Sequence, residues 1–265
     1  KKINTEFLNS GLAFFSTPDV IKTIQLLPGV ASGTELMSGL YVHGGDGSDN
    51  LFLLDGVPIY QVSHLGGLFS SFNTDVIENI DFYKSGFPAR FGGKMSSVVD
   101  ITTRDGNFYD YHGTFAIGLI DGHLQFEGPI VKGKTSFNVG LRRTWIETIS
   151  EPILYFFNKE NQPDKLTLGY SFSDLNAKVT HKFSPKNTLR GSFYMGRDVF
   201  RYKQYNFSEY YQVGEDGVAE IHRQQENDMG IPMNWGNTLG SLDWKWDISD
   251  RLSMNVAAYY TRSHS

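Results

Sequence analysis

Cysteine is absent from the 265 residues, which removes disulfides, thiolate nucleophiles and Cys-ligated zinc as a group. Long hydrophobic runs are also missing. No stretch approaches the ~18–20 apolar residues that a membrane-spanning helix needs, so a helical membrane bundle is excluded. An excess of positive charge is lacking as well: 24 Lys and Arg face 29 Asp and Glu, for a net charge of −5. That balance argues against a general nucleic-acid binder, whose phosphate contacts need clustered cations. The opening Lys1-Lys2-Ile3-Asn4-Thr5-Glu6 carries no apolar segment with a small-residue cleavage site, which leaves a cytosolic protein or a processed or truncated piece. What is present is 40% hydrophobic residues, 14% aromatics and 28 glycines. A disordered chain would be poorer in apolar residues, and aromatics with glycine favour strands and turns over helix.

The character of the chain changes near residue 106. In the first part, Thr17-Pro18-Asp19 reads as a helix start, with Thr17 as cap, Pro18 at the first helical position and Asp19 complementing the dipole. Val20, Ile21, Ile24, Leu26 and Leu27 supply an apolar face, and Pro28-Gly29 ends it. Short strands are expected at Leu40–His43, Leu51–Leu54, Val57–Tyr60, Ile80–Tyr83 and Val98–Thr102. Turns rich in Gly, Asp and Ser separate them, including Asp55-Gly56 and Gly92-Gly93. The pattern is that of a small α+β unit.

From Tyr111 onward the sequence alternates with period two. Phe115, Ile117 and Leu119 form one such set, Phe137, Val139 and Leu141 another, and Leu175, Ala177 and Val179 a third. Leu242, Trp244 and Trp246 follow, then Leu252, Met254, Val256 and Ala258. In a soluble sandwich the apolar faces share a core; in a membrane barrel they meet lipid and the polar faces line the interior. Tight turns at 131–134, 184–187 and 249–250 alternate with long connections at 146–168 and 198–236, the asymmetry of outer-membrane barrels. Trp145, Tyr170, Tyr202, Trp235, Trp244, Tyr259 and Tyr260 fall near expected strand ends, where an aromatic girdle would sit. The pattern alone leaves both readings open.

Several ordered motifs then resemble one family. Pro18-Asp19-Val20-Ile21-Lys22 leading to Leu27-Pro28-Gly29-Val30 is similar to the opening of a TonB-dependent receptor plug. Leu51-Phe52-Leu53-Leu54-Asp55-Gly56-Val57-Pro58-Ile59-Tyr60 resembles its central strand–turn–strand. Ile77 to Gly86, Ala89 to Gly93 and Val98 to Thr103 resemble its closing segment. Gly128 to Phe137, followed by Arg142-Arg143-Thr144-Trp145, resembles the first barrel hairpin of Bacteroidetes-type, SusC-like members. Two positions depart from the family. His43-Gly44-Gly45 and Lys84-Ser85-Gly86 stand where many members carry an arginine that pairs with barrel carboxylates, and neither His nor Lys reproduces the bidentate fork.

The resemblance implies an α+β plug domain over residues 1–110, followed by antiparallel β strands of an incomplete transmembrane β-barrel over 111–265. A plugged barrel has about 22 strands, whereas the residues after 110 suffice for about seven at ~9–11 residues each. A fragment of a longer receptor is therefore expected, without the energy-coupling box. The implied function is capture and active import of an extracellular nutrient across the outer membrane of a Gram-negative bacterium. The implied partners are a periplasmic TonB-type energy transducer, outer-membrane lipid and a SusD-like surface lipoprotein lid; no nucleic acid and no cofactor are expected. Three plug loops would face the ligand: Ala31–Ser38, Asp46–Asn50 and Gln61–Ser71. Their candidate contacts are Thr34, Glu35, Asp46, Ser48, Asp49, Gln61, Ser63 and His64.

Other chemistry finds little support. The glycine pairs suit close packing, and no GxxxxGK[ST] occurs. Asp46-Gly47-Ser48-Asp49-Asn50 lacks the EF-hand spacing and reads better as an Asx-type turn. GxSxG and HExxH are absent, and the seven histidines show no metal spacing, so no catalytic and no metal-ligating residues are assigned. The aromatic stretch Phe200–Val213 reads as strand ends emerging past the membrane, with a stacking surface for sugars as the alternative. Two other classes remain open: a soluble β-rich binding module for glycan or protein, and a glycan-acting enzyme, which would need two carboxylates facing one cleft. Charge insertion separates lipid from protein core. Val139→Arg should cost about 2–4 kcal/mol at mid-depth in a bilayer, and Asn138→Arg on the opposite face is expected to be tolerated.

Overall fold

The computed structural model describes residues 2–4, 18–31, 40–42, 49–84, 88, 91, 96–160, 165–213 and 219–265. Thr17, Thr34, Glu35, His43, Asp46, Ser48 and the Gly44-Gly45 and Gly92-Gly93 pairs lie outside the described residues.

The front part is built on a mixed five-stranded sheet. Its strands are β1 (Lys2–Asn4), β4 (Asn50–Leu54), β5 (Val57–Pro58), β8 (Ile77–Tyr83) and β9 (Ser97–Thr103), in the order β1-β8-β9-β4-β5. Two short ribbons flank it, β2 (Val30–Ala31) with β3 (Tyr41–Val42) and β6 (Ser63–His64) with β7 (Phe69–Ser70). The five strands expected from the sequence appear within a few residues as β3, β4, β5, β8 and β9, whereas β1, β2, β6 and β7 were not expected. Asp55 and Gly56 both adopt positive φ, 49° and 78°, as a two-residue hairpin turn requires.

Helix α1 (Val20–Gln25) differs from expectation at its start. Its cap is Asp19, whose carboxylate accepts from Lys22 N at 3.0 Å, and Pro18 precedes the helix. Asp19 has the extended backbone of a cap and a side chain of the right length to reach the third amide beyond it. Val20, Ile21 and Ile24 are fully buried, whereas Leu26 is exposed. They join Phe52, Leu54, Ile77, Ile80, Phe82, Val99 and Ile101 in one core.

The remainder is a seven-stranded antiparallel meander, in which each strand pairs with the next. Its strands are β10 (His112–Ile117), β11 (Asp121–Val131), β12 (Thr135–Thr144), β13 (Lys165–Ser184), β14 (Asn187–Val213), β15 (Ala219–Ser249) and β16 (Leu252–His264). Tight turns join β11–β12, β13–β14 and β15–β16 at one end, the turn end. The loop end carries helix α2 (Ile146–Glu160) and the far part of the β14–β15 hairpin. Neither long connection is therefore mainly loop. Ile146, Ile149, Ile153 and Phe157 have helical spacing, and β14 pairs with β15 as far as Val213 and Ala219. Period-two alternation fades there because strands surrounded by water on both faces need no apolar side.

The sheet folds around the front part with its polar face inward. Along β12, Ser136, Asn138, Gly140, Arg142 and Thr144 are buried, and Leu141 and Arg143 are exposed. Of the seven side chains that a soluble sandwich would bury, Leu141, Val179, Val256 and Ala258 are exposed and Phe137, Val139 and Leu175 are half-buried. The apolar side thus faces outward, and Trp244 and Trp246 stack on it 5.9 Å apart near the turn end. Tyr170, expected in the girdle, instead points inward and is buried, because its register places it on the polar side of β13.

Outward Val139 remains the charge-insertion site. Val139→Arg is expected to lower the stability of the bilayer-inserted protein by about 2–4 kcal/mol, read from denaturant midpoints in vesicles. The companion expectation for Asn138 fails. Its side chain is 2% exposed, donates to Arg104 O at 3.2 Å and accepts from Gln125 at 2.8 Å. The inner face is a packed seam, so an arginine there has no room.

Candidate functional site: the polar seam between the front part and the sheet

Two charged clusters fasten the front part to the sheet. The first lies toward the loop end. β6 delivers His64 into the seam, where Nδ1 lies 2.7 Å from Asp198 and Nε2 lies 3.0 Å from Asp174. Asp174 also accepts Arg142 Nε and Nη2 at 3.0 and 2.7 Å and the Tyr194 hydroxyl at 2.9 Å. Arg142 Nη2 reaches back to Ser70 O at 2.6 Å. The Tyr170 hydroxyl donates to Asp198 and accepts Leu65 N at 2.7 Å. That last bond holds Leu65 at a positive φ of 48°, a conformation a non-glycine residue keeps only when its surroundings demand it. Two cations lie against Phe172. The His64 ring stacks on it at 4.0 Å, and the Arg142 guanidinium lies 5.0 Å from its centre.

Every charge in this cluster has an opposite within hydrogen-bonding reach, as burial requires. For His64, burial by itself would favour the neutral ring. The charges and hydrogen bonds of Asp174, followed by those of Asp198, outweigh it and push the pKa up to about 9. The imidazolium is therefore the resident form at neutral pH, donating from both nitrogens.

The second cluster lies toward the turn end. Asp55, in the β4–β5 turn, accepts Thr103 N at 3.0 Å and Thr103 Oγ1 at 2.6 Å. Lys178 of β13 then reaches Asp55 at 3.2 Å, Asp105 at 3.4 Å and Thr103 O at 2.7 Å. Arg190 Nε bonds both oxygens of Asp105 at 3.0 and 3.2 Å. Burial works against the Asp105 charge, but the Arg190 hydrogen bond and the Lys178 and Arg190 charges hold its carboxyl below the usual range. Between the clusters the two layers touch closely. A Cβ added at Gly140 of β12 would lie 3.8 Å from Val76 Cβ and would collide with the Val76 side chain.

The positions singled out from sequence are divided by this arrangement. Gln61, Ser63 and His64 share one segment, which docks through Gln61 N and O on the Asn237 side chain at 3.2 and 2.7 Å. Gln61 and Ser63 are half-buried, whereas His64 is 2% exposed. His64 thus sits in the seam, where Asp174 and Asp198 of the sheet both claim its ring. Asp49 is half-buried just before β4. Lys84 is half-buried too, and the seam's cations come mainly from the sheet. The sequence reading did not single out Arg142, Asp174, Lys178, Arg190 or Asp198. One signal was available: Asp174, Asn176 and Lys178 occupy the polar side of β13, and like-facing charges in a plugged interior must find partners. Asp174 and Asp198 do face each other, but buried and fully engaged, which is not a hydrolytic cleft.

Comparison with known proteins agrees with this geometry. Residues 14–99 match the family model of the TonB-dependent Receptor Plug Domain. Among solved structures, a substituted form of the ferric enterobactin receptor PfeA from Pseudomonas aeruginosa is 14% identical, with a TM-score of 0.52. The siderophore receptor PirA from the same organism is also 14% identical, with a TM-score of 0.53. Each match covers 99% of this chain and 48% of the other, so the chain spans about half the length of the structures it resembles. No curated protein sequence matches it significantly. The likeness to a TonB-dependent receptor plug domain thus lies in residues 14–99, and the chain as a whole has the fold of part of these receptor structures.

Proposed function

We propose that the chain is the plug and the first third of the barrel of an outer-membrane active transporter, which binds an extracellular nutrient and imports it with TonB-coupled energy. The observation that carries this reading is the plug seated by paired buried charges on the polar side of a sheet whose apolar side faces out. The turn end would face the periplasm and the loop end the exterior. The plug would end and the barrel begin within residues 104–111, between β9 and β10. A groove of about 420 Å³ beside Leu51, Leu53, Pro58 and Tyr259 is where further strands would cover the plug. Thr34, Glu35, Asp46, Ser48, Asp49, Gln61 and Ser63 remain the proposed ligand contacts, and His64 is reassigned to fastening the plug. The hairpin motifs from Gly128 to Trp145 favour the Bacteroidetes-type, SusC-like subgroup. Exposed Ile153, Tyr155 and Phe156 on α2 offer an apolar landing for a surface lipoprotein lid at the same end.

A plug that must move can be tethered. This stretch has no cysteine, and the 3.8 Å between Val76 Cβ and a Cβ at position 140 equals the usual disulfide value. In the full-length receptor, Val76→Cys with Gly140→Cys is expected to abolish energy-dependent uptake when oxidised, leave surface binding intact, and recover uptake on reduction. Ferric siderophores, the ligands named for the solved relatives, are the first probes. Undiminished uptake through the oxidised tether would refute transport by plug displacement.

A further inference from the structure

Across β10 to β14 the outward face of the sheet is apolar in its middle, but near the loop end one row carries charge; farther round, exposed Arg262 of β16 lies one row lower. Cross-strand register aligns Ile117, Gly122, Arg143, Ser173 and Arg197 on β10 to β14. The next row toward the turn end is Phe115, Leu124, Leu141, Leu175 and Met195. Two arginines therefore stand in one outward row, two strand spacings or about 10 Å apart. Both are exposed. Arg143 lies 3.7 Å from half-buried Glu147, and Arg197 lies 3.4 Å from the Asn234 side-chain oxygen. Directly beneath them is an apolar groove of about 640 Å³. Gly122 and Ser173 keep its floor low, and the Trp145 ring lies over Gly122, where a Cβ would meet its edge at 2.6 Å.

The depth of this row matters. Arg143 is about nine residues beyond the β11–β12 turn, or roughly 23 Å along the normal for a strand tilted by about 40°. That is the outer rim of an apolar band ~25 Å tall. Guanidinium groups at that level meet lipid headgroups, while the row below meets acyl chains.

We propose that this groove is a binding site for the phosphorylated, multiply acylated glycolipid of the outer leaflet. Arg143 and Arg197 each take a phosphate, and Phe115, Leu124, Leu141, Leu175 and Met195 seat the chains. Two features select this ligand over a phospholipid. Two separated cations match two phosphates, and five strands give a floor about 19 Å wide, broader than a pair of chains needs. Arginine suits the task because its fork binds phosphate bidentately.

The proposal rests on the outward face meeting lipid, and its test keeps the two apart. Full-length receptor would be extracted from membranes in detergent, stripped of lipid, and titrated by native mass spectrometry. The probes are bisphosphorylated lipid A, monophosphoryl lipid A, phosphatidylglycerol and inorganic phosphate. Bisphosphorylated lipid A is expected to bind best. Arg143→Gln with Arg197→Gln should weaken it about tenfold or more, from two lost charge-assisted contacts. The Arg→Lys pair, which keeps the charges, should lose less, and Arg251→Gln at the turn end should lose nothing. Unchanged binding by the Gln pair, or equal binding of phosphatidylglycerol, would overturn the site. A receptor that stays in solution without detergent would instead overturn the membrane reading beneath it.

Discussion

Asp174→Asn is expected to loosen the plug from the barrel by about 3–5 kcal/mol, the cost of leaving buried cations without their counter-charge. The carboxylate is fully buried and accepts from His64, Arg142 and Tyr194 at once. An asparagine keeps the shape but supplies one acceptor oxygen and an amide that itself donates. It therefore faces the donors of Arg142 or His64 with another donor, and neither cation finds water in the seam. In the full-length receptor the fraction with an undocked plug should rise by two orders of magnitude or more. Proteolytic cleavage of the plug across a urea series measures that fraction. Asp250→Asn, which breaks an exposed pair with Lys186, should leave it unchanged. If Asp174→Asn resists protease as well as the parent does, the cluster does not fasten the plug.

Raising the pH is expected to weaken docking through His64. The ring's pKa stands at about 9 in the docked state against an ordinary 6.5. A raised pKa means that docking binds a proton, so the stabilisation is complete below about pH 6.5 and is lost as the pH climbs through about 9. The difference corresponds to on the order of 3 kcal/mol. The groups facing His64 are Asp174 and Tyr170 of β13, Asp198 and Tyr194 of β14, and Arg142 of β12. Once neutral, the ring donates from one nitrogen only, and one of the two carboxylates is left short. His64→Gln should flatten the decline in docking between pH 6.5 and 9 and weaken docking at pH 6. A decline of the same slope in the variant would assign it to other groups.

On the transport reading proposed above, the two clusters would let the plug be held firmly and still move. Each is a set of short polar contacts across a seam, with only a small apolar patch, Phe69 against Phe172 and Tyr170, beside the first, far less than the apolar core that joins α1 to the front sheet. Polar contacts can be exchanged for water as a gap opens, whereas an apolar core resists opening until most of it is exposed. The tether between residues 76 and 140 addresses that motion directly.

Much of the architecture was legible because it follows local rules. The Asp55-Gly56 turn needs positive φ at two successive residues, and few residue pairs tolerate that. The alternation in β11 to β13 and β16 reports a sheet with two different surroundings. Helix α2 was hidden although Ile146, Ile149, Ile153 and Phe157 carry its period, because Pro152 inside it and the flanking strand pattern read as a connection; the long arms of β14 and β15 were hidden because they lack a sustained alternation. The cap moved from Thr17 to Asp19, because both residue types suit the position and only the backbone angle of Asp19 separates them.

By itself the sequence determined which faces are oily, where the chain turns, and that the front part resembles a plug, since propensity, periodicity and turn chemistry act over a few residues. Only the tertiary structure decided that the polar face grips the plug, that His64 belongs to that grip, and that Arg143 and Arg197 share a row. Those facts depend on register between strands tens of residues apart. A charge's partner across such a distance is fixed by how the layers pack and by the cost of burying it alone, neither of which is written in its own neighbourhood.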